Sequence, residues 1–192
     1  MPCQRPYRVS QTFGRNDSPI YAQLGLKGHT GWDFYAYKPG QVYIKDFPLY
    51  APIDGVVEYI ENDEKLGLGV VIRTTEEFSD KDSKDYYWKV RVWHLARNSI
   101  VVRLGQQVKV GDYLGMADNT GISSGVHCHF DLKPVDEDFN NIFQENGYFG
   151  CIDLAPYVMG LTAYEVKTSL QSIADAIQKI AAMVANLIKS RR

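Results

Sequence analysis

Four histidines occur in this chain of 192 residues, and their spacing limits the folds that are open to it. His29 stands four residues before Asp33, and His94 closes an aromatic-rich run. His127 and His129 flank a single residue. So few histidines, grouped in this way with an acidic residue among them, predict a metal site.

The spacing has a direct physical meaning if these segments are extended. Side chains alternate between the two faces of a β-strand, so His127 and His129 point the same way and can serve one small site. His29 and Asp33 lie around Gly31, where a tight bend could turn both side chains toward one point. Catalytic zinc sites commonly have three His, Asp or Glu ligands and one open position. The residues of this chain allow such a site with histidines left over.

The order of these residues resembles a known family. HisxxxAsp, a later His-Leu at a strand end, and HisxHis followed by Phe-Asp are similar to the motifs of the lysostaphin/LytM-type zinc endopeptidases, peptidase family M23. The resemblance covers roughly residues 7 to 158 in the family's order. Further segments that carry it are Val9–Gly14, Pro48–Val57, Gly105–Gly111, Asn119–Gly125 and Ile152–Tyr157.

The resemblance implies a role for each site residue. His29, Asp33 and His129 would be the ligands of one zinc ion per chain. His94 and His127 would be catalytic histidines that do not bind the metal, and the division of roles between them stays open. The implied reaction is metal-assisted hydrolysis of peptide bonds in bacterial peptidoglycan.

The pattern of residues 7 to 158 predicts a mainly β fold. Short apolar or alternating runs at 55–60, 69–73, 86–95 and 127–132 are separated by turns rich in Gly, Asp and Pro. They indicate an antiparallel sheet folded on itself, and the family resemblance implies the same β-sandwich-like core. The polar stretch Lys133–Gly150 reads equally well as a loop that shapes a substrate groove and as a neutral insertion. We therefore predict a peptidase domain over residues 1–160.

Residues 161–192 change character and predict a C-terminal α-helix. Residues 162–190 contain no Gly or Pro, and apolar residues alternate spacings of four and three. This pattern favours a homo-oligomeric coiled coil and an amphipathic helix packed on its own domain equally; membrane-surface binding is the weakest alternative. The apolar positions are Val166, Leu170, Ile173, Ile177, Ile180, Val184 and Leu187.

Four residues near the histidines are candidates for binding substrate. Tyr35 shares a strand face with Asp33 if the segment is extended, so it could line the groove. Asn119, Thr120 and Ser124 precede the HisxHis strand and could contact the substrate backbone, although turn stabilisation explains them equally well.

Composition and charge indicate which kinds of partner the protein binds and where it acts. The net charge of −2 gives no electrostatic footprint for nucleic acid. No apolar stretch approaches the roughly 20 residues that span a bilayer, and the amino terminus lacks the apolar core of a signal peptide. An endolysin or virion protein of phage origin is therefore the preferred source. Three cysteines indicate free thiols, and Cys128, opposite the histidines, is expected to be a buried core thiol rather than a ligand.

These observations lead to one main hypothesis and two alternatives. The main hypothesis is a zinc metalloendopeptidase that acts on the cell wall. The first alternative is a catalytically silent module of the same family that binds or regulates. The second is a structural component of a phage virion in which the C-terminal helix drives assembly.

Overall fold

Ten β-strands make up most of the regular structure in the residues that the computed structural model describes, which are 1–2, 7–37 and 46–157. A short helix α1 (Ile20–Gln23) and a 3₁₀ turn (Gln144–Asn146) accompany them. None of the helices in these ranges is long and apolar enough to cross a membrane. The strands are β1 (Tyr7–Gln11), β2 (Trp32–Ala36), β3 (Pro48–Tyr50), β4 (Gly55–Asp63), β5 (Gly67–Arg73), β6 (Phe78–Ser79), β7 (Asp85–Trp93), β8 (Gln107–Val108), β9 (Tyr113–Met116) and β10 (Cys128–Val135).

Two antiparallel sheets are formed in the described part of the chain. The larger sheet has the strand order β1-β2-β10-β7-β5-β4-β8, and β6 pairs with β7. The smaller sheet consists of β3 and β9. The prediction of a mainly β, antiparallel fold is therefore confirmed, while the predicted helix over 161–192 lies outside the described residues.

One face of the larger sheet carries the hydrophobic core. Residues that stand directly opposite each other on neighbouring strands share a face, and the apolar positions form continuous rows across the sheet. Cys128 lies in this set and is fully buried, which agrees with its expected place in the core. The rows are Phe34 and Cys128; Phe130, Val92 and Val70; and Leu132, Val90 and Ile72.

The other face of the same strands carries the polar residues of the site. Asp33 on β2 stands opposite His129 on β10, which stands opposite Trp93 on β7. Trp93 in turn faces Gly69 on β5, where a Cβ atom would lie 2.4 Å from the indole ring. A side chain at Gly69 would therefore push Trp93 out of its row, beside the metal-binding candidates.

The last long strand extends further than its sequence predicts. Residues 133–135 are predicted from their sequence to begin a loop, but they continue β10 and pair with Tyr87–Lys89 of β7. Lys133 can lie in a strand because strand pairing satisfies the hydrogen bonds of its backbone. Its side chain is buried on the same face of the sheet as the site. The connecting loop begins at Asp136.

Candidate active site

Three donor atoms from separate parts of the chain meet in one small triangle. His29 Nε2 lies 2.9 Å from His129 Nδ1 and 3.1 Å from Asp33 Oδ1. The remaining side, between His129 Nδ1 and Asp33 Oδ1, measures 3.0 Å. All three residues are buried, and they form a His-Asp-His group with the proximity that a bound metal ion requires. The pairing of β2 with β10 brings Asp33 and His129 together.

Hydrogen bonds on the far side of each imidazole ring decide which nitrogen faces the triangle with a lone pair. His29 Nδ1 lies 3.2 Å from the carbonyl oxygen of Thr12, which can only accept, so Nδ1 donates to it and Nε2 is the nitrogen left to face a metal ion. His129 has the opposite arrangement, because Nε2 lies 3.2 Å from Asp131 Oδ2 and donates to it. The N–H group of a metal-binding histidine is usually engaged in this way.

The electrostatics of the triangle favour positive charge. Burial alone would raise the pKa of the Asp33 carboxyl, but hydrogen bonds from His129 and His29 hold it well below its usual value. Burial opposes a charge on His129 too, yet its hydrogen bonds to Asp131 and Asp33 raise its pKa to about 9. The two carboxylates that stabilise a proton on this ring would equally stabilise a divalent cation, which would displace that proton.

His94 and His127 lie beside the triangle and form a second pair. Their ring centroids are 4.4 Å apart, and His127 Nε2 lies 3.6 Å from Asp33 Oδ1. Each ring donates its Nδ1–H to a backbone carbonyl, His94 to Thr120 and His127 to Gly125, both at 2.7 Å. Each Nε2 therefore keeps a lone pair. Burial, followed by the neighbouring histidines, lowers the pKa of His94 to about 3, so this ring is neutral at pH 7.

The backbone around His94 is held in an uncommon conformation. His94 follows β7 with a φ of +66°, in the left-handed region that few residues other than glycine adopt. Asp118 donates its backbone N–H to the His94 carbonyl at 2.7 Å, and Asp118 also pairs with His127. Such strain persists only where the surrounding contacts impose it, and it concentrates at functional sites.

A groove with two chemically different halves crosses these residues. One half is a pocket of about 200 Å³ with His29, Asp33, His94, His127 and His129 along its floor. The other half is an open recess of about 420 Å³ that also includes Asp33 and His127. The pocket walls are mostly apolar, whereas most of the residues that line the recess are polar. The apolar wall residues are Ile20, Leu24, Leu26, Leu66, Ile122 and Phe149.

Two large hydrophobic residues of the pocket wall are exposed to solvent at the rim of the groove. Ile122 is 52% exposed and Phe149 42% exposed, although both are large and hydrophobic. Ile122 donates its backbone N–H to the Lys65 carbonyl at 2.6 Å, which ties two wall loops together. The Gly147 carbonyl accepts a hydrogen bond from the Lys27 backbone N–H at 2.9 Å, which connects the loop after β10 with the segment between α1 and β2. The loop after β10 therefore does reach the groove.

The sequence is similar to that of a known protein family. The sequence profile of peptidase family M23 matches residues 27–141, which is more than half of the chain and includes all four histidines. The chain belongs to peptidase family M23.

Individual M23 proteins resemble the chain over most of its length. It is 30% identical over 132 residues to the peptidoglycan DD-endopeptidase ShyA of Vibrio cholerae, covering 68% of this chain and 26% of ShyA. The solved structure of LytU has a TM-score of 0.56 and 26% identity, covering 82% of this chain and 88% of LytU. A zinc-containing peptidase from Vibrio cholerae has a TM-score of 0.52 and 26% identity, covering 70% of this chain and 37% of that one. The chain spans about a quarter of the length of the curated relatives that it matches.

The structure distributes the four substrate-binding candidates of this M23 chain differently. Tyr35 and Ser124 line the polar recess. Thr120 lines neither half of the groove; its hydroxyl accepts from the Leu68 backbone N–H at 3.1 Å and donates to the Leu95 carbonyl at 2.9 Å. Its carbonyl oxygen accepts the hydrogen bond from His94 Nδ1. Asn119 is exposed and lines neither half.

Two charged residues beside the M23 histidines were not among the candidates from the sequence. Asp131 is fully buried and accepts the hydrogen bond from His129, and Arg91 on β7 pairs with Asp131. The sequence did contain a signal, because Asp131 follows His129 by two residues and so shares its strand face. Arg91 lies between Val90 and Val92, an alternation that places it on the polar face of β7.

Proposed function

We propose that this chain is a zinc-dependent endopeptidase that hydrolyses peptide bonds in the cross-links or stems of bacterial peptidoglycan. The observation that carries the proposal is the donor triangle of His29, Asp33 and His129, in which both imidazole N–H groups are engaged elsewhere. Membership of family M23 supports a metallopeptidase, and the similarity to a peptidoglycan DD-endopeptidase supports the substrate class.

The donor set fits zinc in number, chemistry and spacing. Two imidazole nitrogens and one carboxylate oxygen are a common set of protein ligands in catalytic zinc sites. Ligands of a tetrahedral zinc ion at about 2.0–2.1 Å lie about 3.3 Å from one another. The sides of the triangle, between 2.9 and 3.1 Å, are close to that value. A zinc ion held there would supply a Lewis acid that polarises a carbonyl group and lowers the pKa of water to about 7.

The two remaining histidines would handle the protons of the reaction. Peptide hydrolysis requires a base that accepts a proton from the attacking water and an acid that delivers one to the leaving nitrogen. His94 and His127 each present an Nε2 lone pair whose orientation is fixed by a backbone carbonyl. The proposal therefore makes them a pair that accepts and returns one proton, and a protonated ring would also stabilise the developing oxyanion.

The groove supports an extended peptide as substrate. Asp33 and His127 line both the apolar pocket and the polar recess, so a peptide that occupies both halves crosses the catalytic residues. Tyr35 and Ser124 would contact it in the recess. Asn119 and Thr120 are proposed to act only through the loop that carries them.

The remaining part of the proposal concerns the organisation of the chain. We propose a peptidase domain over residues 1–160 and a helix over residues 161–192 that supports self-association through its heptad pattern. Mass measurement in solution with and without residues 162–192 tests this role. Delivery by a phage stays a prediction.

Digestion of peptidoglycan together with metal quantification tests the catalytic proposal. We expect the wild type to release new amino termini from peptidoglycan and to hold one zinc ion. His94→Ala and His127→Ala should slow release by roughly 10²–10⁴-fold and retain the metal. Asp33→Ala should lose metal and activity together.

The outcomes separate the alternatives. Loss of zinc in His127→Ala would assign that residue as a ligand and contradict its catalytic role. Stoichiometric zinc without cleavage of Gram-negative or Gram-positive peptidoglycan would favour the catalytically silent binding module. A folded wild type without zinc affinity would contradict the metal site itself.

A further inference from the structure

A buried ion pair stands directly behind one of the proposed metal ligands. Asp131 follows His129 on the same face of β10 and stands opposite Arg91 on β7. Its side chain is fully buried, and Oδ2 accepts the Nε2–H of His129 at 3.2 Å. Arg91 Nε lies 2.8 and 3.0 Å from the two carboxylate oxygens, and an Nη of Arg91 donates to Oδ2 as well. The three residues form a continuous chain of hydrogen bonds that ends at the donor triangle.

We propose that Asp131 and Arg91 are positioning residues for the metal site. Asp131 fixes the tautomer and the ring orientation of His129, so that Nδ1 presents its lone pair to the metal. Arg91 holds the Asp131 carboxylate in the orientation that this hydrogen bond requires. The inference rests on the metal-binding role of His29, Asp33 and His129 in the proposed function.

The geometry gives each member of the pair a definite task. His129 Nε2 has Thr30 Oγ1 at 3.3 Å as its other neighbour, and a hydroxyl can donate or accept. The Asp131 carboxylate can only accept, so it alone forces the proton onto Nε2. Arg91 engages both carboxylate oxygens, which keeps Asp131 from rotating toward the metal as a competing ligand. Partners of this kind typically change metal affinity by 10–100-fold when they are removed.

Stability alone does not account for a buried ion pair at this position. Replacing such a pair with apolar residues of similar volume is often neutral or stabilising, because both charges lose their hydration on burial. Arg91 and Asp131 could therefore be replaced without harm to the fold if they served the fold alone. Asp131 instead contacts the proposed ligand His129, and Arg91 contacts Asp131.

A second ion pair of β7 provides a matched control. Glu58 on β4 and Lys89 on β7 form an ion pair of 2.8 Å with side chains that are 15% and 14% exposed. Lys89 lies two residues from Arg91 on the same face of β7. Among the contacts that the structure describes, neither Glu58 nor Lys89 touches a site histidine. Replacement of this pair by apolar residues should leave metal binding unchanged, whether it is neutral for stability or stabilising.

Cobalt binding to the full chain tests the inference. We would remove metal from the wild type, from R91M/D131L, from Asp131→Asn and from E58L/K89M, and titrate each with Co²⁺ in competition with a chromophoric chelator. Both Asp131 variants should bind Co²⁺ about 10–100-fold more weakly. Their visible Co²⁺ spectra should also change, because His129 no longer has a fixed ring. E58L/K89M should keep wild-type affinity and spectrum.

The result that overturns this inference differs from the one that overturns the proposed function. If the wild type binds no Co²⁺, the metal site is wrong. If the wild type binds Co²⁺ and R91M/D131L binds it with the same affinity and spectrum, the positioning role is wrong. Should near-ultraviolet circular dichroism show that R91M/D131L is unfolded, Asp131→Asn decides. Its amide is neutral and has one accepting oxygen instead of two, so the hydrogen bonds with His129 and Arg91 weaken and weaker metal binding is still expected.

Discussion

Replacement of Gly31 by alanine should move His29 and Asp33 away from His129 and so disrupt the proposed metal site. Gly31 lies between His29 and Asp33, where the chain passes close to β10. A Cβ atom at this position would lie 2.2 Å from the Phe130 carbonyl oxygen and 2.8 Å from Asp131 Cβ. The nearest obstacle is strand backbone, which cannot swing away as a flexible side chain could.

The size of the effect follows from this contact. A carbon atom approaches a carbonyl oxygen to about 3.3 Å, so the segment with His29 and Asp33 must move about 1 Å away from His129. Metal–ligand distances tolerate about ±0.2 Å, a fraction of this movement. We expect metal affinity to fall by about 100-fold or more, and overpacking to cost about 1–3 kcal/mol of unfolding free energy.

Metal titration and urea unfolding of Gly31→Ala measure these two quantities, with Gly105→Ala as the control. Gly105 has a φ of +76° and open space around its Cβ position, so alanine there meets backbone strain of about 1–2 kcal/mol and no clash. The control should lose stability and keep wild-type metal affinity. Wild-type metal affinity in Gly31→Ala would refute the argument that close approach of these segments builds the site.

Three further predictions concern groups around the site. Thr120→Val should lower the free energy of urea unfolding by about 1–3 kcal/mol, because it leaves two backbone groups without their hydroxyl partner. In a variant without the amino-terminal cysteine, a maleimide at pH 8 should label neither Cys128 nor Cys151 until the chain is unfolded, because both are buried and burial raises the pKa of Cys151 to about 12. Burial opposes ionisation of Asp131, but its ion pair and its hydrogen bond to His129 hold the pKa below the usual value. Unfolding free energy should therefore fall below about pH 4, because the unfolded chain binds a proton at this carboxyl while the folded protein does not. It should fall less steeply in R91M/D131L, as urea unfolding at pH 5, 4 and 3 would measure.

The β-structure could be predicted because its signals are local. The runs at 55–60 and 69–73 lie within β4 and β5, and alternation correctly separated buried Cys128 from the site face. The prediction of a loop was wrong at residues 133–135. They begin a stretch of polar, loop-like composition, but they pair with β7 and belong to β10. The heptad pattern of residues 161–192 is outside the described residues and stays a prediction.

The contacts that join separate segments around the histidines could not be predicted from local signals. Which residue faces Asp131 depends on the register between β7 and β10, which no spacing within either strand specifies. Thr120 was a candidate for binding substrate because turn residues and ligand-binding residues have the same chemistry. Its contacts with Leu68, Leu95 and His94 depend on how three distant segments pack.

Strand β10 explains how the side chains of the site are held in position relative to one another. It pairs on one side with β2, which carries Asp33, and on the other with β7, which carries Arg91. If β10 shifted by one residue relative to its two neighbours, His129 would point toward the hydrophobic core and Phe130 toward the groove. Burial of the core therefore also fixes the register on which the site depends. The residues that fold the sheet and those that bind the metal alternate along one strand, and each set fixes the position of the other.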